Sequence, residues 1–250
     1  MRKPRFFVNQ SIGIGTTFQL DAESSHHIKN SLRLRTGDEI IVVTLNEKAY
    51  QCRIHSISAR EVSAEVIDFY VARSESPLHI TLGIALIPGR KIDMIIRQAS
   101  ELGVAKIWPF QSRYSQFSRK QQEKRMDRWK KIIKSACQQA GRTRLVSLEN
   151  IVLFEDILTK RSPSLGLIAW ENEHENSIKD IYMEHSKVRD IFVLVGPEGG
   201  FTNDEVKKAK NADFIPFSLG PRILRCETAT IVSVAIIQHH WGDLDIFQQF

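Results

Sequence analysis

Cysteine is scarce in this sequence, and nothing in its placement lets the thiols cooperate. The 250 residues contain three, Cys52, Cys137 and Cys226, with no CxxC pair and no zinc-type spacing to the eight histidines. A disulfide-stapled scaffold and a zinc module are thereby excluded, no metal site is expected, and reduced structural thiols are. Long apolar runs are also missing: no stretch reaches 18 residues, so no segment reads as a membrane span. Met1-Arg2-Lys3-Pro4-Arg5 leads into a strand-like run without the apolar core of a signal peptide, and the expected setting is soluble and cytoplasmic. No internal repeat, GxGxxG fingerprint or Walker GK[ST] loop occurs, which removes the usual signatures of dinucleotide and P-loop chemistry.

Positive charge is abundant but uneven. Basic against acidic side chains number 9 to 8 over residues 1–72, 16 to 5 over 73–144, and 10 to 16 over 145–250. A concentrated basic block is the field expected opposite a phosphate backbone, whose counterions are released on binding; a solvated helix face is the plainer alternative.

The hydrophobic pattern changes regime once. Up to residue 72 it is short and strand-like, with runs at 6–8, 16–20, 39–43, 49–54 and 61–67, turn residues at Gly13, Gly37-Asp38 and Asn46, and one helix around 23–31. That reads as a small β-barrel. A polar stretch with Pro77 at 73–77 marks a linker, after which strands and helices alternate as in a parallel α/β sheet. The strands are at 78–87, 104–110, 165–170, 191–195 and 214–219. The helices are at 91–102, at 118–140 with Ser118 as cap, and at 227–241, and Thr202 with Glu205 forms a capping box.

Two loops stand out. Leu194-Val195-Gly196-Pro197-Glu198-Gly199-Gly200-Phe201 and Leu219-Gly220-Pro221-Arg222-Ile223-Leu224-Arg225-Cys226-Glu227-Thr228-Ala229 each follow an apolar strand. In a parallel sheet such loops meet at the ligand crevice, and their glycines let a ligand approach the main chain. The first loop holds no Lys or Arg to neutralise a pyrophosphate, so a cationic or neutral ligand is expected. Arg222 and Arg225 read as cations aimed at phosphate or at developing anionic charge, and Arg225 is expected inside the apolar frame of Leu219, Ile223 and Leu224. For Glu227 the simpler reading is helix capping.

In order and spacing these two tracts resemble the RsmE family of ribosomal RNA uridine methyltransferases. Arg90-Lys91-Ile92-Asp93-Met94-Ile95-Ile96-Arg97-Gln98-Ala99-Ser100-Glu101-Leu102-Gly103-Val104, Gln139-Ala140-Gly141-Arg142, Pro4-Arg5-Phe6-Phe7 and His27-Ile28-Lys29-Asn30-Ser31-Leu32-Arg33 are similar as well, so the resemblance spans nearly the whole chain. It implies a PUA-like β-barrel for RNA binding over 1–72, then over 73–250 a SPOUT-type α/β domain with a C-terminal trefoil knot. It further implies a homodimer that binds S-adenosylmethionine and methylates N3 of a uridine in small-subunit (16S) rRNA. By that resemblance Leu194, Gly196, Glu198, Gly199, Gly200, Leu219, Gly220, Ile223, Leu224 and Arg225 line the cofactor site. Arg225, Glu198 and Glu227 are the catalytic candidates, and Arg5, His27, Lys29, Arg33, Arg90, Lys91 and Arg142 the RNA contacts. Gln138 stands where the family has a glutamate, Val146 where it has a proline and Cys226 where it often has a threonine. A ribose 2′-O-methyltransferase of the same fold and a non-catalytic RNA-binding assembly protein are the rival functions.

Overall fold

The computed structural model describes residues 3–72, 74–115, 124–160 and 164–245. The chain divides into two compact units, Met1–Glu75 with Cys137–Arg144, and Ser76–Ala136 with Leu145–Phe250.

In the first unit β1 (Arg5–Val8), β2 (Thr17–Gln19), β3 (Glu39–Thr44), β4 (Ala49–Ile57) and β5 (Val62–Tyr70) form a curled sheet in the order β1-β3-β4-β5-β2. Alternation along the strands turns Phe6, Ile40, Val42, Cys52, Ile54, Ala64 and Val66 into one core, with Phe18, Leu20 and Ile28. Between β2 and β3, α1 (Ala22–His26) begins at Asp21, whose carboxylate accepts from the Ser24 N–H at 2.6 Å. Where the sequence suggested one helix over 23–31, α1 instead runs into a π-helical turn, His27–Leu32. This wider turn buries Ile28 and leaves His27, Asn30 and Arg33 exposed, ending at Arg33 in the left-handed region at φ 53°.

Glu75 organises the distant segment of this unit. Its carboxylate accepts from Arg142 Nη2 at 2.9 Å and from the Thr143 and Arg144 N–H groups at 2.7 and 3.0 Å. A carboxylate and guanidinium this withdrawn from water are tolerable only because each is so fully bonded.

In the second unit the chain runs through β6 (His79–Ala85), α2 (Lys91–Glu101), β7 (Lys106–Gln111), α3 (Met126–Ala140), β8 (Ser147–Leu148), β9 (Val152–Leu153), α4 (Phe154–Thr159), β10 (Leu165–Ala169), α5 (Ile178–His185), β11 (Asp190–Val195), α6 (Asn203–Asn211), β12 (Phe214–Phe217) and α7 (Cys226–Trp241). The last four residues of α3 fall in the first unit, and the expected cap at Ser118 lies outside the described residues. The sheet is parallel throughout, in the order β12-β10-β11-β6-β7-β8 with β9 also on β7. Its central strands are covered on both faces and so read as unbroken apolar runs. Leu194 fills the space that Gly83 leaves on the neighbouring strand, where an added Cβ would come within 2.3 Å of Leu194 Cδ2.

Helices α2 and α7 pack together. Gln238 of α7, fully buried, donates to the Leu102 carbonyl at 2.9 Å and accepts from Ser76 Oγ at 2.8 Å. On its other flank α2 is tied to α3, where Asp93 accepts from Trp129 Nε1 at 3.0 Å and Arg128 Nε at 2.9 Å. Replacing Gln238→Leu keeps the volume but orphans a carbonyl and a hydroxyl, so urea denaturation is expected to show a loss of about 2 kcal/mol.

Candidate functional site

Three strands adjacent in the sheet, β11, β10 and β12, end level with one another: Ile168 is opposite both Leu194 and Pro216, and Ala169 opposite Phe217. The three loops that follow, beginning at Trp170, Gly196 and Ser218, enclose a cavity of about 380 Å3. Of the residues expected at the cofactor site, Gly196, Glu198, Gly200, Leu219, Gly220, Ile223 and Leu224 line it.

The first glycine loop is set from both sides. Phe201 turns inward and stacks on Phe110 with ring centroids 6.2 Å apart, against Phe154. Thr202 then starts α6 with the expected capping box: the Glu205 N–H donates to Thr202 Oγ1 at 3.1 Å, and the Thr202 N–H to Glu205 Oε2 at 2.9 Å. The other Glu205 oxygen accepts from the Arg113 N–H at 2.8 Å, fixing the loop after β7 as well. Gly200 has φ +68°, a left-handed conformation that favours glycine; an added Cβ would lie 2.2 Å from Glu171 Oε1, the end of an exposed side chain that would have to move aside. Gly220, at φ +97°, has nothing within 4 Å of its missing Cβ.

Other expected residues fall elsewhere. Leu194 is wholly buried inside the sheet, and Gly199 lies against Tyr114, whose Cβ would be 3.0 Å from a Cβ added at Gly199. Arg225 is exposed rather than enclosed, because the apolar frame expected around it does not close: Ile223 is 89% exposed. Nor does Glu227 cap α7. The N-cap is Arg225, which makes no side-chain cap bond, and Glu227 sits in the first turn with one carboxylate oxygen, Oε2, buried and without a hydrogen-bond partner.

Sequence reasoning missed the third wall, Trp170, Glu171, Glu173 and His174. These carry no glycine signature; the available signal was their position directly after an apolar parallel strand. Trp170 Nε1 is buried and unpartnered. Glu173 is buried, with Oε1 accepting from the N–H groups of His174, Glu175 and Asn176 at 3.1, 2.8 and 3.2 Å. Glu171, Glu173 and Glu198 against Arg222 make the lining net acidic. Cys226 also faces the cavity, and burial pushes its thiol up to about 12, so it is inert at neutral pH.

The expected RNA contacts separate into free and engaged cations. His27, Arg33 and Arg90 are exposed. Lys29 donates to the Ser58 and Ala59 carbonyls at 3.2 and 2.7 Å, and Lys91 is ion-paired with Glu198. Arg5 and Arg142 are buried, the first donating to the Gly141 carbonyl and the second, 2% exposed, held by Glu75. Lys124, just before α3, and Lys130 and Lys131 on it face solvent, while Arg128, also exposed, is held by Asp93. Among the described residues no group of three or more His, Cys, Asp and Glu could hold a metal ion, and no helix is long and apolar enough to cross a membrane.

Residues 74–238 match the RNA methyltransferase domain, and residues 20–67 the RNA methyltransferase PUA domain. The chain is 30% identical to the ribosomal RNA small subunit methyltransferase E of Bacillus subtilis, over 94% of this chain and 96% of that protein. Among solved structures it superposes with a TM-score of 0.90 on the ribosomal RNA small subunit methyltransferase E of Neisseria gonorrhoeae bound to S-adenosyl methionine, at 32% identity over 97% of this chain and 99% of that one. A putative methyltransferase from Legionella pneumophila, in complex with bound SAM, also gives 0.90, at 28% identity over 98% and 100%. With its cavity at the carboxyl ends of a parallel sheet, its curled N-terminal sheet and these matches along its length, the chain belongs to the RNA methyltransferase family with a PUA domain.

Proposed function

We propose that this protein is an S-adenosylmethionine-dependent methyltransferase acting on N3 of a uridine in small-subunit (16S) ribosomal RNA, in the cytoplasm and as a homodimer. The observation that carries the reading is the net-acidic cavity of about 380 Å3 between two glycine loops and the Trp170 to His174 wall. Its volume suits a cofactor-sized ligand, its charge suits a cation, and neither loop is built to cradle phosphate. The residues fit such a group: Trp170 has an unused N–H at the wall, and Gly220 leaves open space. Relatives of matching length named as ribosomal RNA small subunit methyltransferases, and two similar structures holding the cofactor, support the methyltransferase reading.

We read the segment after β11 as a trefoil knot, because the chain crosses from β11 past β10 to β12 and its next loop returns to the cavity that the first loop lines. Residues 1–72 are read as the RNA-binding PUA-like barrel, curled around one core, and 73–250 as the methyltransferase domain. The homodimer reading rests on α7, which is apolar all round yet leaves Ile231, Val232, Ala235 and Ile236 only half-buried, and on the exposed Ile223. A helix of that kind is made to be covered, and a second copy of the same surface covers it.

When bound, the cofactor supplies a methyl group already electrophilic on its sulfonium. The chain's own task is to hold the uracil N3 in line and to withdraw its proton. Arg225, with its guanidinium free in solvent, is assigned to the two uracil carbonyls, where it would stabilise the charge of the N3 anion. Glu198 and Glu227 are the carboxylates available to take the proton. RNA is read as held by His27, Arg33, Arg90 and the exposed lysines and arginine at the start of α3. Phosphate contacts set position, and the target base must leave its stack to present N3.

Incubating unmodified small subunits with enzyme and cofactor, then analysing nucleosides by mass spectrometry, is expected to give one N3-methyluridine per subunit. A 2′-O-methylated ribose would favour the sister chemistry, and no change a purely binding role. Arg225→Ala, still folded and still binding cofactor, is expected to lose about 100-fold or more in turnover; normal turnover would remove Arg225 from the mechanism. Affinity for a helical rRNA fragment should fall steeply and log-linearly with salt, and a flat response would refute the electrostatic grip.

A further inference from the structure

We infer that Lys91 is a positioning residue of the methyl-transfer site rather than an RNA grip: it fixes the Glu198 carboxylate of the first glycine loop. This rests on the function proposed above and concerns a group not yet given a part in it.

The geometry is local to the second unit. Lys91 is the first residue of α2, Glu198 lies in the loop after β11, and Arg225 and Glu227 open α7. Helices α2 and α7 pack together, and Gln238 near the end of α7 is bonded to the Leu102 carbonyl just past the end of α2. Lys91 Nζ donates to Glu198 Oε1, and the two side chains are 39% and 36% exposed. The hydrogen bond to Glu198 raises the Lys91 ammonium above its ordinary range; the charge of Glu227 adds to this, and that of Arg225 opposes it. The four groups thus form one neutral set, two cations and two anions, with the un-ionised Cys226 thiol beside them.

Lys91 matters because Glu198, which it holds, belongs to the cavity lining. Without the ammonium, the Glu198 side chain loses its tie to the start of α2, and the first glycine loop is freer to wander. An ammonium bound in this way has also lost much of its reach toward phosphate.

The test is steady-state methyl transfer by wild type, Lys91→Met and Lys91→Arg, with RNA affinity measured alongside. For Lys91→Met the expected result is kcat reduced about tenfold, with RNA affinity within about twofold of wild type. Lys91→Arg, which keeps the charge and a donor, should restore most of kcat. If Lys91→Met weakens RNA binding and leaves kcat in place, Lys91 is a phosphate contact and the inference is wrong. Lost activity with no rescue by arginine would show a merely structural role and also overturn it. A wild type that transfers no methyl group refutes the function and this inference together, whereas an active wild type with unaltered variants refutes this inference alone.

Discussion

Register in the parallel sheet is the constraint on which the site depends. β10 is hydrogen-bonded to β11 on one side and β12 on the other, so Ala169, Val195 and Phe217 must end at one height. A slip of one residue would turn Leu194 and Phe192 out of the core and present the wrong faces to the helices, which both-sided burial forbids. Three loops distant in sequence are therefore delivered to one place by main-chain bonds that involve none of their own residues. What the loops contribute is the absence of obstruction at Gly200 and Gly220 and a few side chains of chosen charge.

The same economy explains how the cavity wall keeps its shape. Phe201 plugs the first loop into the apolar core while Glu205, one residue with two oxygens, ties that loop's exit to the loop after β7. Glu173 does for the third wall what Glu205 does for the first, gathering three consecutive N–H groups on one oxygen. Main chain held in this way has little freedom left to lose when a ligand arrives, and ordering costs are what most often erode affinity.

Legibility in the sequence followed the range of the interaction concerned. β11 and β12 were readable because burial on both faces writes an unbroken apolar run, and the Thr202 to Glu205 box because its partners are three residues apart. The two glycine loops were readable because positive φ and close approach select glycine. Long-range pairing left no such trace. Arg142 in a basic block looks like a phosphate contact, and only the fold shows Glu75, 67 residues earlier, gathering it in. The Trp170 to His174 wall was invisible for a similar reason, since ordinary residue types became a site only by following a strand that neighbours β11 and β12. The exposure of Arg225 also contradicts a local argument: its apolar neighbours do not enclose it within one chain, although their sequence suggests that they should.

Charge is divided along the chain in a way that answers the two ligands of the proposed reaction. A sulfonium cofactor and an RNA backbone carry opposite charge, and a surface attractive to one repels the other. Acidic residues dominate 145–250, where Glu171, Glu173 and Glu198 face the cavity, and basic residues dominate 73–144, where the start of α3 presents its cations. The cations nearest the cavity then need separate explanation, since they would lower the affinity for a positive cofactor unless occupied. Lys91 is occupied by Glu198, and Arg225, exposed, lies two residues before Glu227, whose charge belongs to the same set. Fields within such a neutral cluster largely cancel at a distance but stay strong at contact range, where Coulomb energies vary inversely with separation. An arginine so placed can meet an anion that forms only in the transition state without drawing phosphate into the cofactor's seat.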